Sequence, residues 1–355
     1  MSFSELPKYV LLHLCSFIDI KSLAKLSLTN KKYKAMFFHI RDLFQLIRKY
    51  YPRENDFSSI SCTIKFFESK SDPILHLACK NDNNINITIE MIKYLIENKS
   101  DLNLLNKYKN SALHYSCYNH RVSLEIVQCL VENKAEVNLF NSEQDTPIYN
   151  LCRGKANSIE KIKCLVENRA DMNLQGYRKY TPLHYLCQNA SNQSEIIKYL
   201  IINKSDLNMF NEYQETPLHY YLESKKVDIE TLKCFIENKS DLNLVNERNN
   251  TPLHKLCKGR IVSLDPIKIL VENGADLNLK GYRQNTPFHF ACQNKNFSLE
   301  IIKYLIENKA DTSSEDNTAH IIISENHSLK KEFEELYGQN CSIKEILKSL
   351  GQLKN

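Results

Sequence analysis

The sequence predicts an all-helical solenoid, and three observations carry that prediction. A Thr-Pro-Leu-His tetrad recurs, intact at 181–184, 216–219 and 251–254. Its last position, held by His76, His114, Tyr149, His184, His219, His254 and His289, advances by 35 residues at every step from 114 onward. An acidic residue keeps the same beat behind it, at Glu90, Glu125, Glu160, Glu195, Glu230, Asp265 and Glu300, each heading an apolar stretch such as Ile196-Ile197-Lys198-Tyr199-Leu200. Self-similarity at a fixed period of this length marks stacked supersecondary units, none of which buries its apolar face alone.

Bulk properties agree with a soluble stack. An apolar content of 42% supports a core over 355 residues, and 25% charged residues suit an exposed surface. The net charge of +5 arises from 47 basic and 42 acidic residues interspersed along the chain, without the concentrated basic stripe of a nucleic-acid binder. No apolar run approaches the ~18 residues that span a bilayer, and the start, Met1-Ser2-Phe3-Ser4-Glu5, lacks a signal-peptide pattern. The expectation is an intracellular protein, cytoplasmic or nuclear, whose twelve cysteines are free thiols.

Residues 1–50 stand outside the period. Leu6-Pro7 opens a helical pattern through Val10, Leu11, Leu14, Phe17 and Ile18. Pro7 suits a first helical position, where its missing N–H costs nothing. Asp19 precedes a second apolar set at Ile20, Leu23, Leu26 and Leu28, and 31–34 (Lys-Lys-Tyr-Lys) leads to a third at Ile40, Leu43, Phe44, Leu46 and Ile47. On these residues the block resembles an F-box, with Tyr33 in the usual tryptophan slot and 28–30 (Leu-Thr-Asn) departing from the usual segment. The resemblance implies docking onto a Skp-family linker of a cullin–RING ubiquitin ligase. The linker-docking residues would be Leu6, Pro7, Val10, Leu11, Leu14, Phe17, Ile18, Leu23 and Leu26, some of which must instead fill the domain's own core. The other reading is a helical cap for the solenoid. Residues 51–70 form a connector, broken by Pro52 and the serines at 58, 59 and 61, with 63–67 available as a capping half-repeat.

Residues 71–312 hold seven repeats. Around the intact tetrads stand Thr286-Pro287-Phe288-His289 and the more divergent copies at 73–76, 111–114 and 146–149. Each copy closes on a variant of Glu-Asn-Lys-Ala-Asp-Leu-Asn. On these motifs the segment resembles ankyrin repeats, which implies helix–turn–helix units joined by β-hairpin tips. The family's glycine at the end of the second helix is replaced by Lys99, Lys134, Arg169, Lys204, Lys239 and Lys309, and only Gly274 keeps it. Left-handed caps at those positions would carry a steric cost. The two residues beyond the family's period of 33 fall between the two helices of each unit. Residues 313–355 read as polar capping helices, the last beginning at Ser342-Ile343-Lys344-Glu345.

Chemistry-bearing residues are locked to the repeat. The histidines at the head of the first helix fit hydrogen bonds between repeats, since metal ligands would have to converge on one point. Cys79, Cys117, Cys152, Cys187, Cys257 and Cys292 sit three places after the histidine slot and read as small buried hydrophobes. Equivalent positions in stacked helices lie ~10 Å apart, too far for a disulfide. Seven scattered glycines build no phosphate loop. No metal, cofactor, small-molecule substrate or catalytic residue is expected, and no membrane or nucleic-acid partner.

The resemblance places a target-binding groove along the tips and the exposed side of the first helices. There the sequence presents Lys107, Tyr108, Tyr115, Tyr177, Arg178, Tyr180, Tyr185, Tyr213, Tyr220, Arg248, Lys255, Tyr282, Arg283 and Phe290. Tyr and Arg are favoured interface anchors because they bury large areas and also hydrogen-bond. Tyr185, Tyr220 and Phe290 are equally open to intramolecular packing. With both resemblances, the expected protein is an adaptor: an F-box-like module for a ligase linker and an ankyrin groove for an unknown target. The alternative is an ankyrin scaffold or inhibitor with no ubiquitin role.

Overall fold

The computed structural model describes residues 73–80, 89–97, 100–154, 158–190, 193–224, 226–259, 263–294 and 299–311, together with Lys331. The block at 1–50, the connector at 51–70 and, apart from Lys331, the terminal helices at 313–355 lie outside the described residues. The protein divides into two compact units, Met1–Tyr177 and Arg178–Asn355.

Among its described residues the first unit contains three helical hairpins: α1 (Ile74–Lys80) with α2 (Ile89–Glu97), α3 (Ala112–Tyr118) with α4 (Leu124–Glu132), and α5 (Pro147–Arg153) with α6 (Ile159–Glu167). The described residues of the second contain four: α7 (Pro182–Gln188) with α8 (Ser194–Ile202), α9 (Pro217–Glu223) with α10 (Ile229–Glu237), α11 (Pro252–Lys258) with α12 (Leu264–Glu272), and α13 (Pro287–Gln293) with α14 (Leu299–Glu307). Within each unit, first helices stack on first helices, as in α1–α3–α5 and α7–α9–α11–α13. A seven-residue helix is too short to stand in water alone, so these depend on their neighbours.

The tetrad explains how each first helix starts. Thr181 caps α7: its hydroxyl accepts from the backbone N–H of His184, and the His184 ring accepts from the backbone N–H of Thr181. This is a reciprocal capping box with histidine in the role usually taken by Glu. Ser111–His114, Thr216–His219, Thr251–His254 and Thr286–His289 repeat it. Pro182, Pro217, Pro252 and Pro287 occupy the first helical position, which needs no N–H.

The second helices end in a different way. Lys134, Arg169, Lys204, Lys239 and Lys309 have φ between 64° and 72°, the left-handed caps implied by the missing glycines. Each places a Cβ where ~1–2 kcal/mol of steric cost arises. Gly274 has φ 92° and nothing within 4 Å of the Cβ it lacks.

The β-hairpin tips require correction. No strand occurs among the described residues. The tip at 106–110 is a turn closed by a side chain: the Asn106 carboxamide oxygen accepts from the backbone N–H of Tyr108 and of Asn110. Asn141, Asn211 and Asn246 do the same for the next turns of their units. Neighbouring tips join through single backbone bonds, Ser142 N–H to the Tyr108 carbonyl and Glu212 N–H to the Arg178 carbonyl, each 2.9 Å. One bond per pair makes no ladder, so no strand forms.

Candidate protein-binding surface

The histidines form the frame on which the tips sit. A ring nitrogen that accepts from an N–H carries no proton, so in His114, His184, His219 and His254 the proton is on Nε2. From there it is donated to a backbone carbonyl of the next tip: Asp145, Glu215, Asn250 and Asn285, at 3.0–3.2 Å. Burial pushes the pKa of all four down to about 4, against weaker upward pulls from these carbonyls. Both nitrogens are occupied by structural bonds, which accounts for the histidines without a metal. The cysteines are likewise structural: Cys79, Cys117, Cys152, Cys187, Cys257 and Cys292 are buried free thiols, and burial raises the pKa of Cys79 and Cys117 to about 12.

A second set of ties was not foreseen in the sequence. The carboxamides of Asn103, Asn138, Asn208, Asn243 and Asn278 each bridge to the following repeat. Each donates to the carbonyl of the left-handed cap there and accepts from a backbone N–H two residues further on, at 2.6–3.4 Å. The signal was present: this asparagine recurs in the first six closing motifs at the same period as the histidine, with Ser313 in the seventh. Only the stacking reveals that its two functions, amide donor and carbonyl acceptor, meet complementary backbone groups 31 and 33 residues away.

The proposed groove residues separate into two sets. Tyr108, Tyr177 and Tyr282 are exposed, at 55%, 56% and 45%. Lys107, Arg178, Arg248 and Arg283 are exposed beside tip tyrosines. The Lys107 ammonium lies 4.8 Å from the Tyr108 ring centroid, and the Arg178 guanidinium 5.6 Å from that of Tyr213, whose hydroxyl it also meets. Arg248 and Arg283 lie 5.7 Å and 5.3 Å from the centroid of Tyr282. Tyr185 and Tyr115 are half-buried, Tyr115 accepting at its hydroxyl from the Asn106 carboxamide.

Tyr180, Tyr220 and Phe290, by contrast, are at most 9% exposed, so their rings support the surface from beneath. Phe290 packs edge-on against His254. Tyr180 and Tyr220 share a hydroxyl–hydroxyl bond, and Tyr220 also accepts from the Asn211 carboxamide at 2.9 Å. Lys255 is consumed by two carboxylates, Glu215 at 2.6 Å and Glu223 at 2.7 Å. Tyr180, Tyr220, Phe290 and Lys255 are thus engaged within the molecule, by burial or by pairing. Sequence position could not separate these residues from the exposed tyrosines, because both sets lie on or next to tips.

Two tips differ from the rest. At 177–179 and 282–284, two successive residues are left-handed: Arg178 and Lys179 (φ 55° and 58°), and Arg283 and Gln284 (φ 56° and 58°). The other described tips have one such residue each: Lys109, Gln144, Gln214 and Asn249. Gly281 makes the second special tip possible. A Cβ there would come within 2.8 Å of the His254 ring, and its absence lets the Asn250 carboxamide accept from Tyr282 N–H at 3.0 Å.

Comparison with known proteins agrees with this geometry. The family described as ankyrin repeats (3 copies) matches residues 42–141, 148–229 and 218–316. Among solved structures, the ankyrin repeat domain of Bcl-3, a member of the IkappaB protein family, is 18% identical with a TM-score of 0.52, over 67% of this chain and 99% of that one. The ankyrin repeat domain of human ASB11 is 19% identical with a TM-score of 0.49, over 66% of this chain and 97% of that one. Among curated proteins, none matches.

Proposed function

The chain belongs to the ankyrin-repeat family, and we propose that it is a non-catalytic adaptor whose tips grip a target protein. One observation carries this reading: tyrosines with cationic partners, Tyr108 and Tyr282 exposed and Tyr213 half-buried, stand on tips whose backbone carbonyls are bonded by His76, His254 and His184. Rigid aromatic anchors on a preorganised frame bind with little ordering cost. No helix among the described residues is long and apolar enough to cross a membrane.

The finer proposal is that this adaptor is a substrate receptor of a cullin–RING ubiquitin ligase. The F-box-like block at 1–50 would dock a Skp-family linker through Leu6, Pro7, Val10, Leu11, Leu14, Phe17, Ile18, Leu23 and Leu26. The mechanism is then tethering, which raises the effective concentration of the target at the ubiquitin-charged enzyme. A second reading, a plain scaffold or inhibitor, is favoured by the family match reaching back to residue 42, into that block. Pull-down with the full chain and with Leu11→Asp/Leu14→Asp separates them. A Skp-family protein captured by the first and lost with the second supports the receptor. Its absence from both sinks the receptor and leaves the scaffold.

A further inference from the structure

We propose that the tips of the second unit take an acidic segment of the partner protein, its carboxylates held by Arg248 and Arg283, which both lie against Tyr282. This rests on the reading of the tips as the gripping surface and names what they grip. Between 178 and 311, arginine occurs at 178, 248, 260 and 283. The three that fall among the described residues all stand on tips and all lie against a tip tyrosine. Lysine in the same unit falls mainly on second helices and their caps, as at Lys198, Lys204, Lys233, Lys239, Lys268, Lys303 and Lys309, with Lys179 and Lys280 at or beside tips and Lys255 and Lys258 on a first helix. A base selected for charge alone would follow the lysines. Arginine differs in that its planar fork stacks on a ring and still offers a paired N–H edge to a carboxylate.

Arg248 and Arg283 are exposed, and neither enters an ion pair among the described residues. The left-handed pair Arg283–Gln284 adds a local steric cost at a tip that other repeats build with one such residue. Glu247 directly precedes Arg248 on the same exposed turn, and its negative charge repels a phosphate dianion there more than a singly charged carboxylate. Neighbouring repeats are ~10 Å apart, which three residues of extended chain span at ~3.3 Å each. The segment that fits carries an acid at every third position.

The test is fluorescence anisotropy on the full chain with a labelled peptide of about twelve residues, Glu at every third position among Ser and Gly. The expected result is binding that weakens with salt, and at least a tenfold loss when Gln replaces Glu. Arg248→Gln/Arg283→Gln is expected to cost at least tenfold with the unfolding midpoint unchanged. Should that pair lower the midpoint, Arg248→Lys/Arg283→Lys keeps the charge and is still expected to weaken binding severalfold. Equal binding of the Gln peptide, undiminished binding by both arginine variants, or no binding of the Glu peptide at millimolar concentration overturns the proposal. So does tenfold tighter binding of a phosphoserine version, which would make phosphate the ligand. If Tyr213→Ala/Tyr282→Ala releases a protein target that Arg248→Gln/Arg283→Gln retains, the tips remain the gripping surface and only the acidic segment falls.

Discussion

Asp145 in the first unit and Glu215 in the second occupy the same slot of the repeat, immediately before the capping threonine. Both are buried acids, yet they are satisfied in different ways. Asp145 is paired at 3.1 Å with Arg153 of its own repeat, a half-exposed guanidinium that also meets Glu143. Glu215 is paired with Lys255 of the next repeat, itself only 14% exposed, and also accepts from the Asn246 carboxamide at 2.9 Å. The electrostatic outcome is opposite. Burial raises the Asp145 pKa, and Arg153 does not fully offset it. Burial also pushes Glu215 upward, but hydrogen bonds from Lys255, Asn246 and Tyr220 outweigh it and leave the pKa below the usual range. An acid in this slot is a cost when served by a partner in water, and a tie between repeats when its partner is buried with it.

The largest expected effect follows from pH. His184, His219 and His254 of the second unit have pKa values lowered to about 4, and that of Glu215 is also lowered. For these groups the stability present at neutral pH is lost as pH falls: for the histidines from about 6.5 through about 4, for Glu215 as it protonates. In the first unit, His114 has the same sign but the raised pKa of Asp145 has the other, since its neutral form is the one the fold favours. Hydrogen exchange at pH 7 and pH 5 should therefore show amide protection falling further in 178–311 than in 73–177. Equal losses would contradict the contrast.

A smaller effect tests the pair itself. Lys255→Met leaves Glu215 buried without its cation and is expected to cost ~3–5 kcal/mol, while Lys255→Met/Glu215→Gln should recover most of it. Denaturant midpoints read both. A double variant as unstable as the single would mean that Lys255 acts through packing alone. The smallest effect is a control: Lys134→Gly and Lys239→Gly relax the same left-handed cap in the two units and should each stabilise by ~1 kcal/mol. A large difference between them would place the asymmetry in the helix ends and not in the acid slot.

Much of the frame was legible before any coordinates, because local rules set it. A threonine three residues before a histidine, with proline between, specifies a capped helix start wherever it occurs, and repetition at 35 residues specifies stacking. The lysines in place of glycine announced left-handed caps for the same reason: the turn geometry is local. The asparagine bridges were less visible, since a carboxamide on a turn looks like a side chain bonded only to water until the next repeat supplies the carbonyl and the N–H.

The division of the tyrosines could be read in the chain only in part: Tyr220 was open to intramolecular packing by its place in a first helix, but Tyr180 was not marked out. Tyr177 and Tyr180 are three residues apart on one tip, yet the first is exposed and the second lies under the Tyr220 ring. Periodicity says which residues share a slot, because backbone sterics and capping act over a few residues. Which of them face water depends on what the adjoining repeat places against them, and so on contacts between residues 31 to 40 positions apart. The helices, their order and their caps thus belong to the sequence, whereas the pairing of Glu215 with Lys255 and the set of tip side chains left exposed exist only once the repeats are stacked.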